Sequence, residues 1–220
     1  YTNSLNFSDA STKPNDISLI KTNPSFDYPK PGYDENRANT RGWLNPYSNI
    51  NKTNVLKVKA FKNDYLPSET TSSTYFVYSE ADEKYSLPVI SLTTDEANFF
   101  DDEIGIYVYG TTGELGNYYE TGEEWERPTL VQYFENDGTL GFEQYLGARI
   151  HGAGGRHSTV KNLRMYARSE YGKNELKYKF FDNSDINKFK RFMIRGPGHR
   201  PDCTPRDDFA DLLLQNYNMD

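Results

Sequence analysis

The residues best suited to chemistry lie between Gly147 and Arg168, in the sequence GARIHGAGGRHSTVKNLRMYAR. A glycine-rich turn from His151 to His157 separates two segments with the composition of strands, and Lys161 follows at the start of the second. Glycines let backbone N–H groups approach a ligand closely, and a lysine on a rigid strand holds a positive charge beside them. This combination predicts a site for the phosphates of a nucleotide. A hairpin turn needs the same glycines for structural reasons alone, so the turn by itself supports both interpretations.

The candidate phosphate-binding residues belong to this turn and to the strand after it. They are three glycines, two arginines and a lysine: Gly152, Gly154, Gly155, Arg156, Arg164 and Lys161. Arginine can hold phosphate through two parallel hydrogen bonds, so Arg149 and Arg168 are further candidates. The turn matches neither a Walker A loop nor the GxGxxG pattern, and the alternative for Lys161 is an ordinary strand-edge lysine in water.

The distribution of charge places a basic region around the same turn. The whole chain has a formal net charge of −7. Residues 81–142 carry 2 basic and 14 acidic side chains, whereas residues 147–200 carry 13 basic and 4 acidic ones. Because the glycine turn lies inside this basic region, an anion-binding surface is as good an interpretation as a solvated face. The acidic total, and the lack of a recognised motif, argue against nucleic-acid binding.

Other chemistry-bearing residues support weaker hypotheses. Three histidines flank glycine-rich turns without acidic residues at ligand spacing, so no metal site is predicted from them: His151, His157 and His199. Three glutamates surround a tryptophan: Glu123, Glu124, Glu126 and Trp125. A glycoside hydrolase needs two carboxyls held across a cleft, which sequence neighbours on one loop rarely provide. Trp43, Trp125 and the many tyrosines leave a sugar-binding face as an alternative, although aromatic residues are more often core.

Length and composition indicate a folded protein of one or two domains that does not span a membrane. The chain has 220 residues, of which 15% are aromatic, and aromatic side chains bury large areas. It contains no run of eighteen apolar residues, which a membrane-spanning helix would need. The single cysteine, Cys203, excludes an internal disulfide framework.

Alternating apolar and polar segments, separated by turns, predict an α+β fold that is mostly β and largely antiparallel. The predicted strands are Val55–Phe61, Thr70–Val77, Leu87–Thr94, Gly105–Tyr109, Pro128–Glu135, Gly147–His151, Val160–Ala167 and Phe189–Arg195. A turn is predicted at Asn136–Gly138, and Asp95 is the predicted N-cap of a short helix. An apolar stripe that includes Phe209 and Leu213 predicts a helix at the end of the chain.

Residues 1–78 form a separate β-rich module in this interpretation. The passage NVLKVKAFKNDYLPSETTSSTYFV resembles the end of the immunoglobulin-like β-sandwich found at the C-terminus of chitobiase- and hexosaminidase-type enzymes. The resemblance implies an accessory domain whose first strands are missing, so Tyr1 is not expected to be its natural start. Residues 79–86 are the predicted linker to a second domain at 87–220.

Residues 87–220 resemble the CotH (spore-coat protein H) kinase family. The matching passages are LPVISLTTDEANFFDDEIGIYVYG, EEWERP, GARIHGAGGRHSTVKNLRMYARSEYG and FKRFMIRGPGHRPDCTPRDDFADLL, in that order. The resemblance implies the antiparallel-sheet-rich N-terminal part of an atypical kinase fold. It also implies that Lys161 grips the nucleotide phosphates and that Asp207, in the RD match, orients this lysine. The alternative for Asp207 is an acidic group that only complements a helix dipole.

The resemblance further implies a function for the intact protein. It would use ATP with Mg²⁺ or Mn²⁺ to phosphorylate a protein on a bacterial spore coat or cell surface, outside the cell. The metal-binding and catalytic acids are expected beyond the position of Asp220, so the isolated chain is expected to have little or no activity. The alternative function is a non-catalytic carbohydrate-binding or adhesive surface module, with a polysaccharide as its partner.

Overall fold

The computed structural model describes residues 4–14, 52–78, 85–112, 115–157 and 160–196. This part of the chain is mostly β, with antiparallel sheets and few helices, as the sequence predicts. Its strands are β1 (Asn54–Val58), β2 (Thr71–Tyr75), β3 (Val89–Thr93), β4 (Arg127–Phe134), β5 (Leu140–His151), β6 (Asn162–Tyr166), β7 (Leu176–Lys177), β8 (Lys188–Phe189) and β9 (Arg191–Ile194). One short α-helix, α1 (Glu96–Phe100), and three 3₁₀ turns, at Asn117–Tyr119, Glu123–Trp125 and Gly154–His157, accompany them.

The main element is a five-stranded antiparallel sheet with the strand order β3-β4-β5-β6-β9. A tight turn at 136–138 joins β4 to β5, as predicted, and the Gly138 N–H donates to the Glu135 carbonyl oxygen at 2.9 Å. The predicted strand Gly147–His151 is the end of the longer β5. The glycine turn connects β5, the central strand of the sheet, to its neighbour β6.

The two faces of this sheet differ in character because side chains alternate along each strand. One face carries Leu146, Ala148 and Ile150 on β5, with Leu163 and Met165 on β6, and packs into the hydrophobic core. The opposite face is polar around the same two strands, where its residues are Arg149, His151, Asn162, Arg164 and Tyr166. The sheet therefore separates an apolar side from a cationic one.

The strands β1 and β2 form a second, two-stranded antiparallel sheet that lies against the polar face near β3 and β4. The Thr74 and Ser91 hydroxyl oxygens are 2.9 Å apart, and the rings of Phe76 and Phe134 meet edge to face at 4.8 Å. The Tyr145 hydroxyl donates to the Thr70 carbonyl oxygen at 2.9 Å. Residues 1–3 and 15–51 of the proposed accessory module lie outside the described residues, so the β-sandwich remains a prediction.

The predicted strand Gly105–Tyr109 is wrong. This segment is an irregular stretch that folds back onto α1, where the Ile106 and Tyr107 N–H groups donate to the carbonyl oxygens of Asn98 and Phe99. Ile106, Tyr107 and Val108 are buried in succession, which is a pattern of a buried loop and not of strand alternation. An apolar composition alone cannot distinguish a strand from a buried loop.

The helix start at Asp95 is confirmed, since its side chain accepts a hydrogen bond from the Ala97 N–H. The predicted C-terminal helix lies outside the described residues, as do residues 79–84 of the predicted linker.

Candidate functional site

The glycine turn is held at the end of β5 by backbone conformation and by one asparagine. Gly152 has a φ of +120°, a conformation that side-chain-bearing residues rarely adopt. A Cβ added at Gly152 or Gly155 would meet only the Asn162 Nδ2 atom, at 3.5 and 3.8 Å, so the turn leaves space around both glycines. Asn162 also accepts a hydrogen bond from the Gly196 N–H at 2.7 Å, which ties this region to the end of β9.

Arg156 joins the turn to the 3₁₀ segment at 117–119. Its Nε donates to the Gly152 carbonyl oxygen at 2.5 Å, and its Nη1 lies 3.0–3.2 Å from the carbonyl oxygens of Tyr118, Tyr119 and Glu120. The residue is only 8% exposed. Burial, followed by the charge of Arg149, lowers the pKa of Arg156, so the buried guanidinium gains from negative charge nearby.

Lys161 is buried on the core side of the sheet and is 3% exposed. Its Nζ lies 4.5 Å from the centroid of the Tyr118 ring and 5.2 Å from that of Tyr107. Its backbone N–H donates to the Tyr107 hydroxyl at 3.1 Å. Burial lowers the pKa of Lys161 to about 7, because the low-dielectric surroundings disfavour the ammonium form. The side chain is therefore not the water-exposed strand-edge lysine that the sequence left as an alternative.

Asn117 positions both tyrosines that surround Lys161. Its side chain is 1% exposed and accepts from the Thr112 N–H at 3.0 Å. Its amide nitrogen donates to the carbonyl oxygens of Asp102 and Gly105, at 3.0 and 3.1 Å. These bonds connect the two ends of the irregular loop that carries Tyr107 to the segment that carries Tyr118. Sequence reasoning missed Asn117 because nothing local distinguishes it from a surface asparagine.

Replacing Asn117 with aspartate is expected to lower the free energy of unfolding by about 2 kcal/mol, because an oxygen would then face two buried carbonyl oxygens. Urea unfolding followed by circular dichroism measures this difference. Asn136→Asp, in the tight turn between β4 and β5, is the matched control and should change stability by less than about 0.5 kcal/mol. Equal stability of the two variants would show that the Asn117 network does not hold the loop.

Arg164 lies on the other face of β6 from the core residues Leu163 and Met165. Its guanidinium hydrogen-bonds to the His151 Nε2 atom. The structure thus brings Arg156 and Lys161 together at the Asn117–Tyr119 segment but places Arg164 on the opposite side of the sheet from Lys161.

Arg149 and Arg168 surround the buried carboxylate of Glu126. Arg168 makes a bidentate contact with Glu126, at 2.8 and 2.9 Å, and its Nη1 lies 2.7 Å from the Glu123 carboxylate. Arg149 Nη1 is 3.7 Å from Glu126 and 2.6 Å from the carbonyl oxygen of Gly122. The hydrogen bonds to Glu126 raise the pKa of Arg168. These two glutamates thus serve an ion-pair network, which does not resemble the separated carboxyl pair of a glycoside hydrolase.

In the described ranges, no group of three or more histidine, cysteine, aspartate or glutamate residues is arranged to hold a metal ion. No helix of this part of the chain has the length and apolar character needed to cross a bilayer. The predicted lysine-orienting residue Asp207 lies outside the described residues, as does His199.

Comparisons with protein-family models, with curated proteins and with solved structures find no match for this chain. The resemblance to the CotH kinase family therefore stays a prediction made from the quoted sequence passages.

Proposed function

We propose that this chain supplies nucleotide-phosphate contacts to a CotH-like atypical protein kinase, with the phosphates bound at the glycine turn beside Lys161 and Arg156. The observation that carries the proposal is the convergence of these two buried cations on one segment. Arg156 binds the backbone carbonyl of Tyr118, and Lys161 Nζ lies over the ring of the same residue. A Cβ at Gly152 or Gly155 would make only ordinary van der Waals contact, with the Asn162 amide nitrogen.

The electrostatics of Lys161 support binding of an anion. A lysine whose pKa is about 7 is partly neutral at physiological pH, and a phosphate beside it would restore the ammonium form. The energy that burial costs the charged lysine would then be offset in the complex. Because Lys161 is only 3% exposed, the turn or the side chain must rearrange to admit a phosphate, which lowers the affinity.

The remaining parts of the proposed kinase belong to the intact protein. ATP would bind with Mg²⁺ or Mn²⁺, and the acidic residues that hold this metal would lie beyond the position of Asp220. The protein substrate would be on the spore coat or cell surface, outside the cell. Phosphoryl transfer depends on positioning and charge neutralisation, so the isolated chain should bind nucleotide weakly and transfer no phosphate.

The alternative, a carbohydrate-binding or adhesive module, needs exposed and coplanar aromatic rings. The Trp125 ring packs against the core and lies 5.1 Å from the Arg127 guanidinium. A groove beside β2 is lined by Phe76, Tyr85 and Phe134, but their rings meet edge to face, with interplanar angles of 82°.

Calorimetric titration of the chain with ATP and Mn²⁺ tests the proposal. Lys161→Met keeps a side chain of similar length without the charge and should weaken binding roughly 10- to 100-fold, the usual loss for a hydrogen bond to a charged group. Lys177→Met, on an exposed position of β7, is the control and should bind like the unchanged chain. At pH 8, binding should also take up about one proton, seen as an enthalpy that depends on the buffer.

Two results would contradict the proposal. Equal binding by the Lys161→Met and Lys177→Met variants would remove Lys161 from the site. Absence of ATP binding by the unchanged chain, and also by a longer chain that includes the expected catalytic acids, would reject nucleotide binding at the turn.

A further inference from the structure

The polar face of the sheet carries a second group of cations that the proposed nucleotide site does not use. Arg149 on β5 lies directly opposite Arg164 on β6. Arg191 on β9 lies opposite Tyr166, which is two residues after Arg164 and on the same face of β6. Like charges directly opposite each other destabilise a sheet. Arg149 and Arg164 are such a pair, and Arg191 lies diagonal to Arg164 on the next strand, so positive charge is concentrated on this face.

The carboxylates of the described chain balance little of this charge. Glu126 lies 3.7 Å from Arg149, but both of its carboxylate oxygens accept hydrogen bonds from Arg168. Within the described ranges, no carboxylate oxygen lies within 4.0 Å of the Arg164 or Arg191 guanidinium groups. Arg191 is exposed and Arg164 is half-buried, so both can reach a ligand from solvent.

The pKa of His151 shows the effect of the positive charges at the centre of this group. Its pKa is lowered first by burial and then by four guanidinium groups: Arg164, Arg156, Arg149 and Arg191. The imidazole is thus neutral at neutral pH, and it forms a hydrogen bond with Arg164. A neutral histidine among four cations leaves the positive potential of this face uncancelled.

We propose that this face, formed by Arg149, Arg164, Arg191 and His151, is a second oxyanion site that binds a phosphate group. Phosphate fits because it is dianionic and offers several oxygens to planar guanidinium groups, which bind such oxygens in pairs. The Lys161 side chain lies on the core side of the same sheet, opposite this face, whereas Arg156 of the proposed nucleotide site also acts on His151. Free phosphate and the phosphate ester of a larger substrate share this chemistry.

Titration of the 220-residue chain with inorganic phosphate at low salt tests this site. Saturable binding is expected, and Arg164→Gln should weaken it about tenfold or more by removing one charge-assisted contact. Arg164→Lys keeps the charge without the paired donors and should give an intermediate affinity. Lys177→Gln, which removes an exposed charge from β7, should leave phosphate affinity unchanged.

The pKa of the His151 imidazole provides a second measurement, which would not change if these arginines had only a structural role. Phosphate should raise the pKa of His151, measured by NMR of the three imidazoles of the chain, because a nearby anion stabilises the protonated ring. The groups that face this ring are the four arginines named above, and the shift should be smaller in the Arg164→Gln variant.

The outcomes separate this site from the proposed nucleotide site. Lys161→Met should leave the phosphate-induced rise in the pKa of His151 unchanged, even if it weakens ATP binding. The proposal is overturned if phosphate does not bind saturably, if Lys177→Gln weakens it as much as Arg164→Gln, or if Lys161→Met abolishes it while Arg164→Gln does not. An unchanged inorganic-phosphate affinity in both Arg164 variants would also overturn it. A phosphopeptide that binds more tightly than inorganic phosphate, with the same loss on Arg164→Gln, would identify an ester as the ligand.

Discussion

Glu126→Gln should lower the free energy of unfolding by about 3–5 kcal/mol, the usual effect of breaking a buried ion pair by removing one partner. The Glu126 side chain is fully buried and is bound by Arg168 through two hydrogen bonds. Arg149 lies 3.7 Å from the same carboxylate. A neutral amide would leave two partly buried guanidinium groups without their shared counter-charge.

The chain offers a matched control for this prediction. Glu123 also contacts Arg168, at 2.7 Å, but its side chain is 66% exposed. Glu123→Gln should therefore cost about 0–1 kcal/mol, as is usual for surface ion pairs. Urea unfolding of both variants at pH 7 measures the difference. Comparable losses of unfolding free energy would mean that the buried Glu126 stabilises the protein no more than an exposed ion pair does.

The two oppositely charged parts of the sequence meet in this network. The acidic 81–142 region supplies Glu123 and Glu126, and the basic 147–200 region supplies Arg149 and Arg168. The sequence showed the imbalance but not the pairing, because the partners are separated by 23 to 45 residues and meet only when β4, β5 and β6 pair. Charge composition therefore predicted a basic surface, whereas two of the arginines form ion pairs with glutamates of the acidic region.

Local patterns predicted the sheet better than they predicted the site. Segments with clear alternation or a defined turn, such as β4 and the turn at 136–138, were found close to their observed bounds. The segment 105–109 was not, because continuous burial has the same apolar composition in a strand and in a loop. The mostly β, antiparallel class needed only the first kind of signal.

The placement of side chains relative to the sheet was beyond local reasoning. Alternation puts Arg164 and Leu163 on opposite faces, but the sequence does not say which face meets the core. The burial of Lys161 depends on Tyr107 and Tyr118, which are 54 and 43 residues away along the chain. A basic residue after a glycine turn therefore predicted a cation at this position without predicting its low-dielectric surroundings.

Lys161→Met should remove a pH dependence of stability that the unchanged chain shows above pH 7. The pKa of Lys161 is about 7 in the folded protein, against about 10.4 for lysine in an unfolded chain. Between these values the unfolded chain binds more protons than the folded one, so stability rises as the pH rises. At about 1.4 kcal/mol per pKa unit, the full effect is roughly 4–5 kcal/mol, of which about 2 kcal/mol falls between pH 7 and pH 9.

Urea unfolding at pH 7, 8 and 9 measures this effect for the unchanged chain, for Lys161→Met and for the exposed control Lys177→Met. The control should keep the rise in stability between pH 7 and pH 9, whereas Lys161→Met should lose about 2 kcal/mol of this rise. At pH 7, Lys161→Met should be more stable than the unchanged chain. Identical slopes in all three would show that Lys161 titrates as an ordinary surface lysine. Saturating ATP should flatten the slope of the unchanged chain as well, because a bound phosphate would return the pKa of Lys161 toward its ordinary value. The same titration thus connects the buried lysine of the fold to the ligand proposed for it.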